Sequence, residues 1–221
     1  MVQPTTVRRR RKEARLKEVL EARPVEHQPF TLLHVALLGP PGSGKGTQAR
    51  RLVERFGLAY VGAGDLLRQE VAQDSPHASD IKAFLDAGQL VPLPLLMEVI
   101  EHFVAQIPPH QGIVFDGIPR SLDQALALDE LLRRVGRQLD VVILLSVPDE
   151  VVYERLLQRG RSDDTPEVIA RRLEIYHREI RPLEAFYRRR SILRVVDGVG
   201  TPDEVFERIE QVLDSLEKPS E

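Results

Sequence analysis

The chain has 221 residues, 42% hydrophobic and 29% charged, a composition that supports one sizeable core in a globular fold. Its net charge of −3 excludes an overall polycation, so nucleic acid is not an expected partner and any anion must be held locally. There is no cysteine, hence no disulfide framework and no thiolate zinc site, so a cytoplasmic location is the default and no zinc is expected. No apolar run approaches the roughly 18 residues of a spanning helix, so no membrane partner is expected.

In chain order, residues 1–33 carry eight Lys/Arg against four Asp/Glu, a local +4 that leaves −7 for the remainder. The segment RRRRKEARLKEVLEAR lacks the apolar stretch of a signal peptide, and reads as a flexible basic extension or an arm that touches nucleic acid or an acidic partner. From Leu32 onward, short apolar runs alternate with amphipathic segments. LLHVALL, LAYV, GIVFD, VVILLSV and ILRVVD read as strands; 44–56, 121–134, 149–159, 166–189 and 202–217 read as helices. The runs are apolar throughout, as strands buried on both faces should be. The expected fold is therefore α/β, a five-stranded parallel sheet with helices on both faces. Ser121, Asp149 and Thr201 are read as N-caps, and Pro166 and Pro202 sit where a first helical turn tolerates proline. The fifty residues between LAYV and GIVFD are too long for a crossover. They read as three helices broken at SPHAS and LVPLP, forming a small helical lobe.

The stretch LGPPGSGKGTQ follows the first strand and opens the first helix. Glycines there let backbone N–H groups turn inward on polyphosphate oxygens, the helix terminus adds partial positive charge, and Lys45 reaches the outer phosphates. Gly42, Ser43, Gly44, Lys45, Gly46 and Thr47 are the candidate ATP-binding residues of this P-loop.

GPPGSGKGTQ resembles the P-loop of adenylate kinases and related nucleoside monophosphate kinases, and the likeness extends over residues 33–217. GAGDLLR resembles that family's STGDLLR, GQLVP its GxLVP, DGIPRSLDQA its DGFPRTxxQA, and RSDDTPEVIARRLEIY its GRxDDxxExxxxRLxxY. The resemblance implies a P-loop kinase fold spanning 34–217, with a nucleotide-binding lobe at about 62–91, a lid at about 159–164 and a short tail at 218–221. It implies reversible phosphoryl transfer from ATP to AMP by a monomer, with Mg2+ accompanying ATP.

Such a transfer needs little proton chemistry; it needs two polyanions held in line and equatorial charge stabilised, a task suited to bidentate, permanently charged arginine. By resemblance, Arg68 and Arg120 grip the acceptor phosphate, Arg161 and Arg172 bridge both phosphate groups, and Arg155 and Arg159 face ATP. Lys45, Arg68, Arg120, Arg161 and Arg172 are thus the catalytic set. Ala63, Gln89, Leu90, Val91, Gly117, Ile118, Pro119 and Gln124 are implied AMP contacts, and Gly200 a contact to the ATP base. Asp116, ending the third strand, is assigned to orient the waters of Mg2+. Asp163 and Asp164 are read as lid carboxylates that pair with arginines, or as a capping pair before Pro166. His34 reads as a core or edge residue and His177 as a surface one.

The chain also departs from the resembled pattern. Ala63 stands where threonine is usual, as in UMP/CMP kinases, whereas Gln124 favours AMP; a UMP/CMP kinase and a nucleotide-binding paralogue with vestigial activity are the alternatives. Leu93 and Pro94 replace an acidic helix start. Ile118 replaces a phenylalanine, a smaller apolar surface beside the acceptor site. Only Gly160 separates Arg159 from Arg161, so the lid is very short and cannot fold as a lobe of its own.

Overall fold

A computed structural model describes residues 32–161 and 164–217. The basic extension up to residue 31, Asp163 and the tail 218–221 lie outside the described residues. Five strands, β1 (His34–Leu38), β2 (Ala59–Gly62), β3 (Ile113–Asp116), β4 (Val141–Ser146) and β5 (Leu193–Asp197), form a parallel sheet in the order β2-β3-β1-β4-β5. Eight helices are described: α1 (Lys45–Phe56), α2 (Ala63–Ala72), α3 (Ala78–Asp86), α4 (Leu93–Val104), α5 (Leu122–Arg134), α6 (Asp149–Arg159), α7 (Pro166–Arg189) and α8 (Pro202–Glu217).

The central strands β1, β3 and β4 are almost wholly apolar because they bury both faces, whereas the edge strand β5 carries Arg194 and leaves Val195 exposed. Ala36 and Leu38 of β1, Phe115 of β3 and Leu144 of β4 face a core shared with α2–α5 and α7. Their neighbours Val35, Leu37, Val114 and Ile143 face the opposite core, closed by α1 and α8. Period-two alternation therefore partitions one hydrophobic sequence between two layers. A third, small cluster of Val147, Val152, Leu156 and Ile169 joins α6 to the start of α7.

Local signals account for most helix ends. Ser121 Oγ accepts the Gln124 N–H at 3.3 Å, and Thr165 Oγ1 accepts the Val168 N–H at 3.4 Å. Thr201 and Glu204 form a reciprocal capping box, with Glu204 accepting the Thr201 N–H at 2.7 Å and Thr201 Oγ1 accepting the Glu204 N–H at 3.3 Å. Asp149 differs from its expected role. Pro148 occupies the N-cap, and Asp149 sits in the first turn with its carboxylate 2.7 Å from His177 Nε2. His177, exposed as expected, thus has a partner on another helix, a pairing that sequence spacing does not reveal. The N-cap of α4 is Pro92, with no side-chain bond, in keeping with the missing acidic start.

Candidate active site

Strand register assembles the site. Asp116, the last residue of β3, lies level with Leu37 of β1 and with Gly62 of β2, so three chain segments distant in sequence reach the C-terminal edge of the sheet together. Open parallel sheets receive ligands at that edge. A cavity of about 540 Å³ opens there, bounded by the glycine loop, the helices α2–α4 and the α6–α7 junction.

Gly42, Ser43, Gly44, Lys45, Gly46 and Thr47 line the cavity on one side. Gly42 is required for two reasons. Its φ is +80°, and a Cβ there would meet Leu156 Cγ at 2.8 Å and the Val152 carbonyl oxygen at 3.0 Å. The loop is consequently pressed against α6, which carries Arg155 and Arg159. Lys45 Nζ donates to the carbonyls of Gly39 at 2.9 Å and Pro40 at 2.7 Å and to Ser43 Oγ at 3.2 Å. Desolvation lowers the lysine pKa to about 8; nearby Asp116 works against that shift, and Arg120 and Arg159 add to it.

The arginines expected to converge do so: Arg68, Arg120, Arg155, Arg159, Arg161 and Arg172 all line the same cavity as Lys45. Arg120 Nε donates to Gly117 O at 2.8 Å, which folds the side chain over its own loop. Burial lowers the Arg120 pKa; the neighbouring Arg172, Arg68 and Arg159 push the same way, with Asp116 opposing. Arg155 Nη1 donates to Gly198 O at 3.3 Å. Clustering this many cations costs free energy that an anionic ligand relieves.

Asp164 supplies the counter-charge at the lid. Its carboxylate is fully buried, and accepts Arg159 Nε at 2.8 Å, Arg159 Nη2 at 2.7 Å and Arg172 Nη1 at 3.0 Å. It is thus an arginine partner rather than a cap, since Thr165 caps α7. Although Arg159 and Arg161 are separated by one residue, both reach the cavity.

Ala63, Gln89, Leu90, Val91, Gly117, Pro119, Gln124, Asp116 and Gly200 line the cavity as well. Gln124 is buried, and its Oε1 accepts the Arg120 N–H at 2.7 Å, so it braces the loop that bears Arg120. Ile118 is the exception among the expected contacts. Its side chain is fully buried in the core and does not line the cavity, because the chain turns there with the isoleucine directed inward. Tyr60 and Asp65 also line the cavity. Sequence reasoning gave neither a role; the available signal was the position of Tyr60 two residues before the strand end, on the side of the strand that Gly62 shares.

A cleft that gathers a P-loop lysine and six arginines at the C-terminal edge of a parallel sheet is built for two phosphate-bearing ligands, which defines a P-loop phosphotransferase. The family model for adenylate kinase matches residues 37–192. The chain is 44% identical over 183 residues to the adenylate kinase of Thermus thermophilus strain ATCC 27634, covering 81% of this chain and 96% of that protein. It is 43% identical over 181 residues to the adenylate kinase of Stenotrophomonas maltophilia, covering 80% and 97% respectively. It is 38% identical over 193 residues to that of Porphyromonas gingivalis strain ATCC 33277, covering 86% and 100%. The chain belongs to the adenylate kinase family.

Proposed function

We infer that the protein is an ATP:AMP phosphotransferase, moving the terminal phosphoryl group of ATP to AMP and back. The single observation that carries this reading is the convergence of Lys45 with arginines from α2, the loop before α5, α6, α7 and the junction between them on one cavity. The residues from Gly42 to Thr47 hold the ATP phosphates, Arg155 and Arg159 flank them, and Gly200 meets the ATP base. Arg68 and Arg120 grip the acceptor phosphate, while Arg161 and Arg172 span both phosphates. Ala63, Gln89, Leu90, Val91, Gly117 and Pro119 surround the acceptor nucleoside. Gln124 keeps the second lone pair of Oε1 for the base. The lobe at about 62–91 closes toward the lid at about 159–164, and ligand charge replaces the repulsion among the arginines as water leaves.

Mg2+ enters with ATP in this reading. Asp116 fits it: its Oδ2 stands 3.2 Å from where a Cβ on Gly46 would be, so a carboxylate faces the phosphate loop directly. One carboxylate suits an ion that retains waters and takes phosphate oxygens for its other ligands. Bound there, Mg2+ would neutralise developing charge on the β- and γ-phosphate oxygens. Among the described residues no helix is long and apolar enough to cross a membrane. A cytoplasmic monomer belongs to the same reading.

Ala63 in place of threonine favours a second acceptor class, the pyrimidine monophosphates. A coupled assay with Mg·ATP and each of AMP, UMP and CMP tests both readings. AMP is expected to give the highest kcat/KM, and turnover of none of the three at millimolar concentration would refute the transferase.

A further inference from the structure

The acceptor-side junction of β2 and α2 reads GAGD where the resembled segment reads STGD, so the hydroxyls at positions 62 and 63 are missing. The structure fills that space from another residue. Tyr60, two positions upstream on β2, folds over Gly62 so closely that a Cβ there would lie 2.4 Å from Oη and 2.5 Å from Cζ. Only glycine at 62 admits the ring. Tyr60 Oη is 2.8 Å from Asp65 Oδ2 and 3.1 Å from Asp116 Oδ2. The other oxygen of Asp65 accepts Arg68 Nη2 at 2.5 Å. Four side chains thus form a line, Asp116–Tyr60–Asp65–Arg68, from the end of β3 through β2 to α2.

We propose that Tyr60 is a positioning residue that couples the metal-facing carboxylate Asp116 to the acceptor clamp Arg68, in place of the hydroxyls missing at 62 and 63. The inference rests on the roles read above for Asp116 and Arg68. Its logic is proton arithmetic. A phenol has one proton, and two carboxylates compete for it, so it serves one fully only when the other is served elsewhere. A phenol is protonated at neutral pH, so the hydroxyl serves as a donor. With Asp116 accepting hydrogen bonds from waters that Mg2+ would carry there, the Tyr60 hydroxyl would settle on Asp65. Asp65 then holds Arg68 less tightly, and the guanidinium turns its donors to the acceptor phosphate. Filling the ATP side in this way prepares the AMP side.

The test is a binding measurement. AMP affinity is determined by calorimetry for the full chain, with and without Mg2+ and an ATP analogue whose β,γ bridge is NH. In the wild type the loaded analogue should tighten AMP by about tenfold. Tyr60→Phe, which keeps the ring and its packing, should reduce that ratio to within about twofold of unity. Gly62→Ala, which evicts the ring without restoring a hydroxyl, should do the same. A ratio is measured within each variant, so a general loss of stability does not mimic the effect. Asp116→Asn distinguishes the layers of the argument. If Asp116→Asn loses the coupling and Tyr60→Phe keeps it, the assignment of Tyr60 is overturned alone. If Asp116→Asn keeps it in full, the role of Asp116 fails and the inference with it.

Discussion

The ammonium of Lys45 should impose the alkaline limb of the pH–rate profile. Its pKa is lowered to about 8 because burial outweighs the help of Asp116 and because Arg120 and Arg159 repel it. At that value roughly nine-tenths of the free enzyme carries the charged lysine at pH 7 and roughly one-tenth at pH 9, so kcat/KM for ATP should fall about tenfold between them. The limb in kcat should lie at higher pH, because bound polyphosphate favours the charged form. Initial rates at subsaturating and saturating ATP, from pH 6.5 to 10, separate the two. Lys45→Arg keeps a cation at every pH, so the limb should vanish while kcat drops by about 10²-fold, the fork being the wrong shape for the loop. A kcat/KM that stays flat to pH 9.5, or a limb that survives in Lys45→Arg, would refute the assignment. The same shift has a sign for stability. A folded pKa below the unfolded value of 10.5 means the contribution is present above pH 10.5 and lost as pH falls through 8. Lys45→Met removes this penalty, about 3 kcal/mol at pH 7, but also the three hydrogen bonds of Nζ at about 1 kcal/mol each, so the Tm of the nucleotide-free protein should stay within about 4 °C of wild type while turnover is abolished.

Three further outcomes follow from the geometry. Asp164→Asn removes the charge of the carboxylate that Arg159 and Arg172 share, and should lower stability in urea by about 2–3 kcal/mol and raise KM for ATP; an unchanged midpoint would show that this carboxylate does not tie α6 to α7. Gly42→Ala combines a φ of +80° with a 2.8 Å clash against Leu156, and should cost about 1–3 kcal/mol in thermal melts together with loss of ATP binding by calorimetry. The His34–Asp140 pair sets acid stability. Burial, helped by Arg137, lowers His34 to about 4, so its contribution is lost as pH falls from 6.5; burial raises Asp140 to about 6, so its contribution returns over the same window. The two oppose each other in the wild type, and Asp140→Asn, which still accepts the His34 N–H, should make Tm fall between pH 6.5 and 4 where the wild type stays nearly level.

Much of this architecture is legible before any coordinates. The five apolar runs contain the five strands; burial on both faces explains the uninterrupted runs of β1, β3 and β4, and the edge position of β5 explains why Arg194 is tolerated in it. Ser121, Thr201 and the two prolines mark helix starts because capping is a local hydrogen-bond question, and the glycine loop announces phosphate because no ordinary turn requires that pattern. Asp149 misleads because Pro148 already occupies the cap, leaving its carboxylate to a histidine 28 residues away.

Sequence by itself determined the layers and the P-loop, because periodicity, capping and motif spacing act over a few residues, while the set of arginines was marked out by resemblance to the adenylate kinase motifs. Tertiary structure alone decided what the pleat and register bring together. It turned Ile118 into the core, chose Arg159 and Arg172 as the partners of Asp164, and laid the ring of Tyr60 across Gly62 onto two carboxylates. Those outcomes depend on which residues meet across strands and helices far apart in the chain, and no local pattern carries that information.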